Sequence, residues 1–275
     1  METFQNESIT NRIKNGAYRG IVIIPSLLIF VLTISVLTSC VDEEKGVLKS
    51  AYAFYDQKNY KAVLDEIDKV LIEDEKNAEA YVLRGNCHLE LAKNAFRMND
   101  QFMMVTHYED ASFSFGQAIS LDENSQAAYF GKLTALANIT FEDESPGLLK
   151  QSKEKFPNAN YTFKIFEGIE KNRTGDRIGA IADIKSSIDS GRISNDEKSL
   201  ALRVLASIYI NMENYEAALK TLNDAIAHNS TDDLAFAMRG ELHDMLGKEE
   251  EACNDYGQAV VLGYIAKKEM LAYCE

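Results

Sequence analysis

The feature that most constrains this chain is a helical pattern that recurs with a period of 34 residues in its clearest copies. In the last copy, Phe236, Gly240 and His243 fall at i, i+4 and i+7, which places them on one face of a helix. Gly247 interrupts the pattern, and a second amphipathic stretch starts at Glu249. Two helices joined by so short a turn cannot bury an apolar face alone, so they require neighbours of the same kind.

Similar stretches occupy most of the chain. The segment Tyr81–Gly85 matches Phe236–Gly240 in residue type at every position. Asn59 and Asn214 each precede a Tyr that opens a further amphipathic stretch. The phase of the pattern predicts six copies, at about 44–77, 78–125, 126–160, 161–194, 199–232 and 233–266.

On these residues the chain resembles tetratricopeptide repeat proteins. Their pattern combines an aromatic residue, a Leu-Gly or Arg-Gly pair, a Tyr, an Ala-x3-Phe run and a closing Pro. The likeness covers about 44–266, although Trp is absent and the closing Pro occurs only as Pro157. The resemblance implies an all-α fold, a right-handed superhelical solenoid of about six helix hairpins within 47–275, with a capping helix at 265–274. The low Pro content agrees with a helical chain.

The second copy is longer than the others. Its second-helix residues arrive 14 positions late, which equals two additional turns on each of two helices. We therefore expect one long hairpin, about 78–98 against 101–121. Its tip carries Met98, Phe102 and Met103-Met104. These side chains either extend the seam of the hairpin or form a contact site, because Met packs adaptably against varied partners.

The first 39 residues predict export. Residues 21–37 are apolar and uncharged, and three basic residues precede them. The segment Leu37–Cys40 resembles a bacterial lipobox, which implies a lipoprotein-type signal peptide over 1–39 and lipidation of Cys40. The alternative is an uncleaved single-pass anchor. Under both hypotheses, the residues after Cys40 are exported across the membrane.

Residues 40–46 form a short acidic tether. Asp42, Glu43 and Glu44 resemble the export signal of surface lipoproteins in Bacteroidetes-type bacteria, and the alternative is a solvated linker. We expect the chain at the cell envelope, lipid-anchored to the outer membrane on its periplasmic or surface face. An inner-membrane single-pass protein with an exported C-terminal domain is the alternative.

No motif in the sequence predicts catalysis. A Gly-rich phosphate loop, an HExxH motif and a GxSxG elbow are all absent. The four histidines are dispersed, and His88 and His243 share a repeat position typical of structural packing. We therefore expect no enzyme activity, no cofactor, no metal site and no small-molecule substrate. The net charge of −14 disfavours nucleic acid as a partner.

Three cysteines follow Cys40. Cys253 and Cys274 fall in the last hairpin and the closing segment, and an exported protein permits a disulfide between them. The alternative is two independent apolar cysteines. Cys87 is predicted to be a buried free thiol.

The resemblance also implies a concave binding face, formed by the first helix of each hairpin. The family's ligand-facing positions give a candidate groove of Glu79, Val82, Asn86, Leu89, Leu200, Arg203, Ser207, Ile210, Leu234, Glu241 and Asp244. Apolar side chains with acidic flanks predict a protein or peptide partner that carries apolar anchors and basic residues.

These observations together predict a non-enzymatic scaffold or adaptor, anchored by lipid and binding a protein segment in the groove. One alternative is a subunit of an outer-membrane protein assembly machine, because the chain resembles the repeat lipoproteins of such machines. The other is a membrane-anchored repeat protein with a single span.

Overall fold

The computed structural model describes residues 45–98, 100–139, 144–264 and 274. Within them it contains twelve α-helices and no strand. In chain order these are α1 (Lys45–Asp56), α2 (Tyr60–Glu73), α3 (Ala78–Arg97), α4 (Gln101–Leu121), α5 (Gln126–Leu136), α6 (Glu144–Lys155), α7 (Asn160–Arg173), α8 (Arg177–Asp189), α9 (Asn195–Asn211), α10 (Tyr215–His228), α11 (Asp233–Met245) and α12 (Glu249–Val261). A 3-10 turn at Pro157–Ala159 joins α6 to α7.

The helices pack as six sequential hairpins, α1–α2 through α11–α12, and successive hairpins contact each other. This arrangement confirms the predicted all-α solenoid. The second hairpin is the long one, with α3 and α4 spanning 20 and 21 residues, as the late phase of its second helix predicts. At its tip Met104 is buried, whereas Met98 and Phe102 are exposed.

Short polar side chains fix where the helices begin. Asn59, Asn77, Ser125 and Asn214 each accept a hydrogen bond from a backbone N–H in the first turn of the helix that follows. Ser194 adds a capping box with Glu197 at the start of α9. Such caps satisfy helix N–H groups that have no partner within the helix, and each contributes about 1 kcal/mol.

Two glycines allow the second and third hairpins to approach closely. A Cβ on Gly85 would lie 2.7 Å from Cζ of Phe115, and one on Gly131 would lie 2.3 Å from the same atom. The fully buried Phe115 ring thus fits between α3 and α5 only because both positions lack a side chain. Gly240 has the same relation to the Tyr256 ring, at 2.7 Å.

The second hairpin also contacts the sixth. Arg97, the last residue of α3, donates hydrogen bonds to Asp233 at the start of α11, 136 positions later. Phe96 packs against Tyr264, and Leu89 and Leu234 belong to one buried apolar cluster. The long hairpin therefore joins an early part of the array to its last hairpin, which sequential stacking alone does not do.

Several predictions fall outside the described residues. These are the signal peptide over 1–39, Cys40, most of the tether and the capping helix at 265–274, of which Cys274 alone is described. Among the helices that the structure describes, none has both the length and the apolar character needed to cross a membrane.

Candidate functional site

A cavity of about 550 Å³ lies between the first two and the last two hairpins. The turn between α1 and α2 forms one side, with Lys58 and Tyr60, and the C-terminal half of α3 contributes Lys93 and Arg97. The start of α9, the loop from α10 to α11 and the end of α12 complete the wall. The cavity exists because the second and sixth hairpins meet, so the closure of the array creates it.

A buried ion pair forms one wall of this cavity. Arg203 is 3% exposed, and its Nε lies 2.9 Å from Oδ2 of Asp232. Ser199 Oγ donates to the same carboxylate oxygen at 2.5 Å, and Asp232 also caps α11 by accepting from the Ala235 N–H. Two neighbours and a helix terminus therefore hold Asp232 in place. This wall is rigid, since buried charges retain their geometry only when paired and hydrogen-bonded.

The opposite wall carries a phenol and a carboxylate. Tyr60 Oη donates to Oε2 of the buried Glu90 at 3.4 Å. Burial, followed by the charge of Glu90, raises the pKa of Tyr60 well above its ordinary value. Burial, again followed by the charge of Glu90, raises the pKa of Tyr55 in the same way. Both phenols keep their protons at neutral pH and remain hydrogen-bond donors.

Two lysines are available at the cavity. Lys58 is exposed in the first turn, and Lys93 is half-buried on α3. Within the described part of the chain, neither ammonium group has a carboxylate oxygen within 4.0 Å. By contrast, Arg97 and Arg203 are already committed to Asp233 and Asp232. The cavity can therefore offer charged donors to a bound group without breaking an existing ion pair.

The apolar groove predicted from the sequence is not present. Leu89, Leu200 and Leu234 are 2%, 0% and 1% exposed, within apolar clusters. Contact between the second and sixth hairpins buries Leu89 and Leu234, and Leu200 packs among residues of the third and fourth hairpins. These three leucines are therefore not accessible to a partner in this structure.

The other predicted groove residues are dispersed. Asn86, Arg203 and Ser207 are buried, and of the whole set Arg203 and Leu234 line the cavity. Glu79, Val82, Ile210 and Glu241 are half-buried, Asp244 is exposed, and the Glu79 carboxylate accepts from Tyr52 Oη at 2.7 Å.

Among the residues that the structure describes, cysteines occur in two places. Cys253 and Cys274 form a disulfide that ties the end of the chain to α12. Cys87 is a buried free thiol, and burial raises its pKa to about 12. Thiols at such a pKa are inert, so Cys87 is a packing residue.

Three polar side chains meet halfway along the long hairpin. His88 Nδ1 on α3 lies 3.3 Å from Nδ1 of His107 and 3.6 Å from Oδ2 of Asp110, both on α4. Burial lowers the pKa of His88 to about 4 against the charge of Asp110, and burial also lowers the pKa of His107. The sequence analysis treated these histidines as separate. Only the spacing from His107 to Asp110, three residues on one helix, hinted at the cluster.

His243 shows what the equivalent position does in the sixth hairpin. Its Nδ1 lies 3.0 Å from Oδ2 of Asp255, which also accepts two hydrogen bonds from Arg239. His243 is thus part of an ion-pair network, as expected for a structural histidine. His88 differs because it contacts a second imidazole, whereas the equivalent arginine, Arg84, pairs with Asp68.

Comparisons with known proteins agree with this architecture. The profile of the tetratricopeptide repeat family matches residues 204–230, which include the end of α9 and all of α10. The "DnaJ protein P58IPK homolog" of Arabidopsis thaliana is 28% identical over 208 residues, covering 71% of this chain and 38% of that protein. The chain therefore spans well under half the length of that curated relative.

Solved structures show the same fold at low identity. A monomeric mutant of IFIT1 with m7Gppp-AAAA aligns with a TM-score of 0.52 and 15% identity, over 78% of this chain and 51% of that one. Yeast Tom70 aligns with a TM-score of 0.51 and 18% identity, over 82% of this chain and 44% of that one.

The fold and the cavity define a helical repeat protein whose hairpins enclose a polar site. Its architecture is that of a tetratricopeptide repeat solenoid, a fold typical of non-catalytic scaffolds that bind other proteins.

Proposed function

We propose that this chain is a lipid-anchored, non-catalytic scaffold that holds a segment of a partner protein in the cavity between its first and last hairpins. The observation that carries the proposal is the 550 Å³ cavity, which has side chains from both ends of the array in its wall. Its volume lies within the range typical of binding pockets.

The lining of the cavity favours a polar segment over an apolar anchor. Tyr55 supplies a phenol donor, Asn229 and Thr231 supply further polar groups, and the lysines supply positive charge. An extended peptide presents backbone donors and acceptors at regular intervals, and such a wall can satisfy them. Lys58 and Lys93 suit an acidic side chain or a terminal carboxylate on that segment. Asp56, Glu90 and Asp196 also line the cavity, so the partner motif is polar, and acidic only where it meets the two lysines.

The outer surface acts at longer range. The chain carries a net charge of −14, so the partner protein as a whole is expected to be basic. Attraction between exposed charges is screened by salt, and association should slow as ionic strength rises. This charge complementarity governs the encounter, whereas the cavity determines which segment is held.

The anchor places this scaffold at a bacterial envelope. The apolar run before Leu37–Cys40 supports cleavage and lipidation at Cys40, and the acidic residues that follow support a Bacteroidetes-type surface lipoprotein. Metabolic labelling with an alkyne analogue of palmitate should mark the wild type, and Cys40→Ala should abolish the label. Equal labelling of the two proteins would show that Cys40 is not the lipidated residue, and absence of the label from both would instead support an uncleaved membrane anchor.

The binding site is tested by reversing the two available lysine charges. The double variant Lys58→Glu, Lys93→Glu should lose its partner in a quantitative pull-down from source membranes by more than about tenfold, because rim charges opposed to an acidic group repel it. The matched control is Lys49→Glu, Lys61→Glu, which makes the same charge change at exposed positions away from the cavity.

A photo-crosslinking residue at position 93, compared with one at position 61, would identify the partner and map its segment. Equal partner recovery by the two double variants would rule out the cavity. In that case the exposed tip around Met98 and Phe102 becomes the next surface to test.

A further inference from the structure

We infer that His88, His107 and Asp110 form a binding site for a divalent transition metal, with Zn²⁺ as the ion that best fits. Each of the three side chains offers one ligand atom, and these atoms all lie within 4.8 Å of one another. The inference does not depend on the proposed function, because the site lies on the long hairpin and shares no residue with the cavity wall.

The distances match those within a zinc coordination shell. Two nitrogens bound to one zinc at 2.0–2.1 Å with a tetrahedral angle lie about 3.3 Å apart. The His88 and His107 Nδ1 atoms are 3.3 Å apart. A carboxylate oxygen in the same shell lies at about 3.3–3.5 Å from each nitrogen by the same geometry. Asp110 Oδ2 lies 3.6 Å from His88 Nδ1, and all three ligand atoms lie within 4.8 Å of one another, so the half-exposed Asp110 side chain has to move closer to complete the shell.

The hairpin holds the ligands in place without a loop. His107 and Asp110 stand three residues apart, on one face of α4, and His88 faces them from α3. Ligands on two packed helices lose little conformational freedom when a metal binds, which favours affinity. Arg84, one turn before His88, is paired with Asp68. Its guanidinium is therefore held by a carboxylate of α2, which partly neutralises a positive charge that acts on His88.

The three side chains are exposed enough for an ion to reach them and for water to join its coordination shell. His88 and His107 are half-buried, whereas the Asp110 side chain is 51% exposed. Three protein ligands leave at least one position of a four-coordinate zinc ion for water. The imidazole and carboxylate set suits Zn²⁺ over Mg²⁺, which prefers oxygen ligands. In this position the ion would join α3 to α4 in the middle of the hairpin.

The test is a zinc titration of the full chain in detergent, with any affinity tag removed, against a chromogenic chelator. One equivalent of Zn²⁺ per chain should bind, and Mg²⁺ should not compete. His107→Gln and His88→Gln should each weaken binding by more than about tenfold. His243→Gln is the matched control, because His243 occupies the equivalent repeat position beside Asp255 and should leave binding unchanged.

A second measurement separates site loss from misfolding. Zn²⁺ should raise the melting temperature of the wild type and of His243→Gln, since a ligand that binds only the folded state stabilises it. It should not raise that of His107→Gln, whose side chain is the less buried of the two histidines. Retention of stoichiometric binding by both His88→Gln and His107→Gln, or the absence of binding in the wild type, would overturn the inference.

Discussion

Arg97 and Asp233 form an ion pair between residues 136 positions apart, with Nε and Nη2 of Arg97 at 2.9 and 2.5 Å from one oxygen of Asp233. The two side chains are 15% and 4% exposed, so water screens the pair little. The pair connects the second hairpin to the sixth, and the cavity wall includes both residues.

Removal of one partner should destabilise the protein. Asp233→Asn leaves the Arg97 charge with a neutral partner, and we expect a loss of about 2–4 kcal/mol in the free energy of unfolding. Urea denaturation monitored by circular dichroism would measure it. Arg173→Met is the control, because Arg173 pairs with Glu170 at an exposed position and its loss should cost less than about 0.5 kcal/mol.

The same variant should change the shape of the unfolding transition. Hairpins that contact only their neighbours unfold with limited cooperativity, whereas the contact between distant hairpins couples them. The urea transition of Asp233→Asn should therefore be broader than that of the wild type. An equally steep transition with unchanged midpoint would show that the ion pair contributes nothing to closure.

Adding a single methyl group to a glycine at a hairpin contact should lower the stability of the protein. Gly131→Ala would place a carbon 2.3 Å from the buried Phe115 ring, and we expect a loss of about 1–3 kcal/mol from overpacking. Gly257→Ala is the matched control in α12, where a Cβ meets nothing within 4 Å. It should stabilise the protein by about 0.5–1 kcal/mol, because Ala favours a helix over Gly. Thermal unfolding of both variants would show opposite signs.

The turns offer a prediction about backbone strain. Glu213 occupies the left-handed region at φ 59° at the position where the sixth hairpin has Gly247, at φ 70°. A non-glycine residue in that region costs about 1–2 kcal/mol, partly offset by the greater freedom of glycine in the unfolded chain. Glu213→Gly should therefore stabilise the protein by about 0.5–1 kcal/mol, and Gly247→Ala should destabilise it. A loss of stability in Glu213→Gly would contradict this account.

The disulfide should matter for the last hairpin. Cys253 and Cys274 close a loop of 21 positions, and cross-links of that size typically contribute about 3 kcal/mol. Cys253→Ser should lower the free energy of unfolding by that amount. The stability of this variant should not change when a reducing agent is added. Reduced wild-type protein should match the variant. Equal stability with and without reductant would show that the bond contributes little.

The sequence predicted the parts of this fold that depend on local periodicity. Apolar spacing placed the helices of all six hairpins, and the delayed phase after Ala78 located the long one. Helix caps such as Asn59 and Asn214 are equally local, because the side chain and its N–H partner lie three residues apart.

The contacts that form the site could not be found in the same way. No sequence pattern relates Arg97 to Asp233, 136 positions later, so their contact could not be predicted. The burial of Leu234 depends on the same contact between hairpins. The candidate groove was predicted on the assumption that the concave face is uncovered. That assumption holds only where each hairpin contacts its neighbours in sequence and nothing else. The meeting of His88 with His107 required the register between α3 and α4, which helical spacing within one segment does not supply.

The length of α3 and α4 has a consequence for how this protein can evolve. An open array gains or loses hairpins by duplication or deletion at little cost, because each new unit needs only its neighbour. Here Phe96 and Arg97 must reach Tyr264 and Asp233, so one hairpin more or fewer between them would displace the two sides of that contact. The contact between the second and sixth hairpins therefore constrains the number of hairpins between them. Related chains that keep the long hairpin are expected to keep that number.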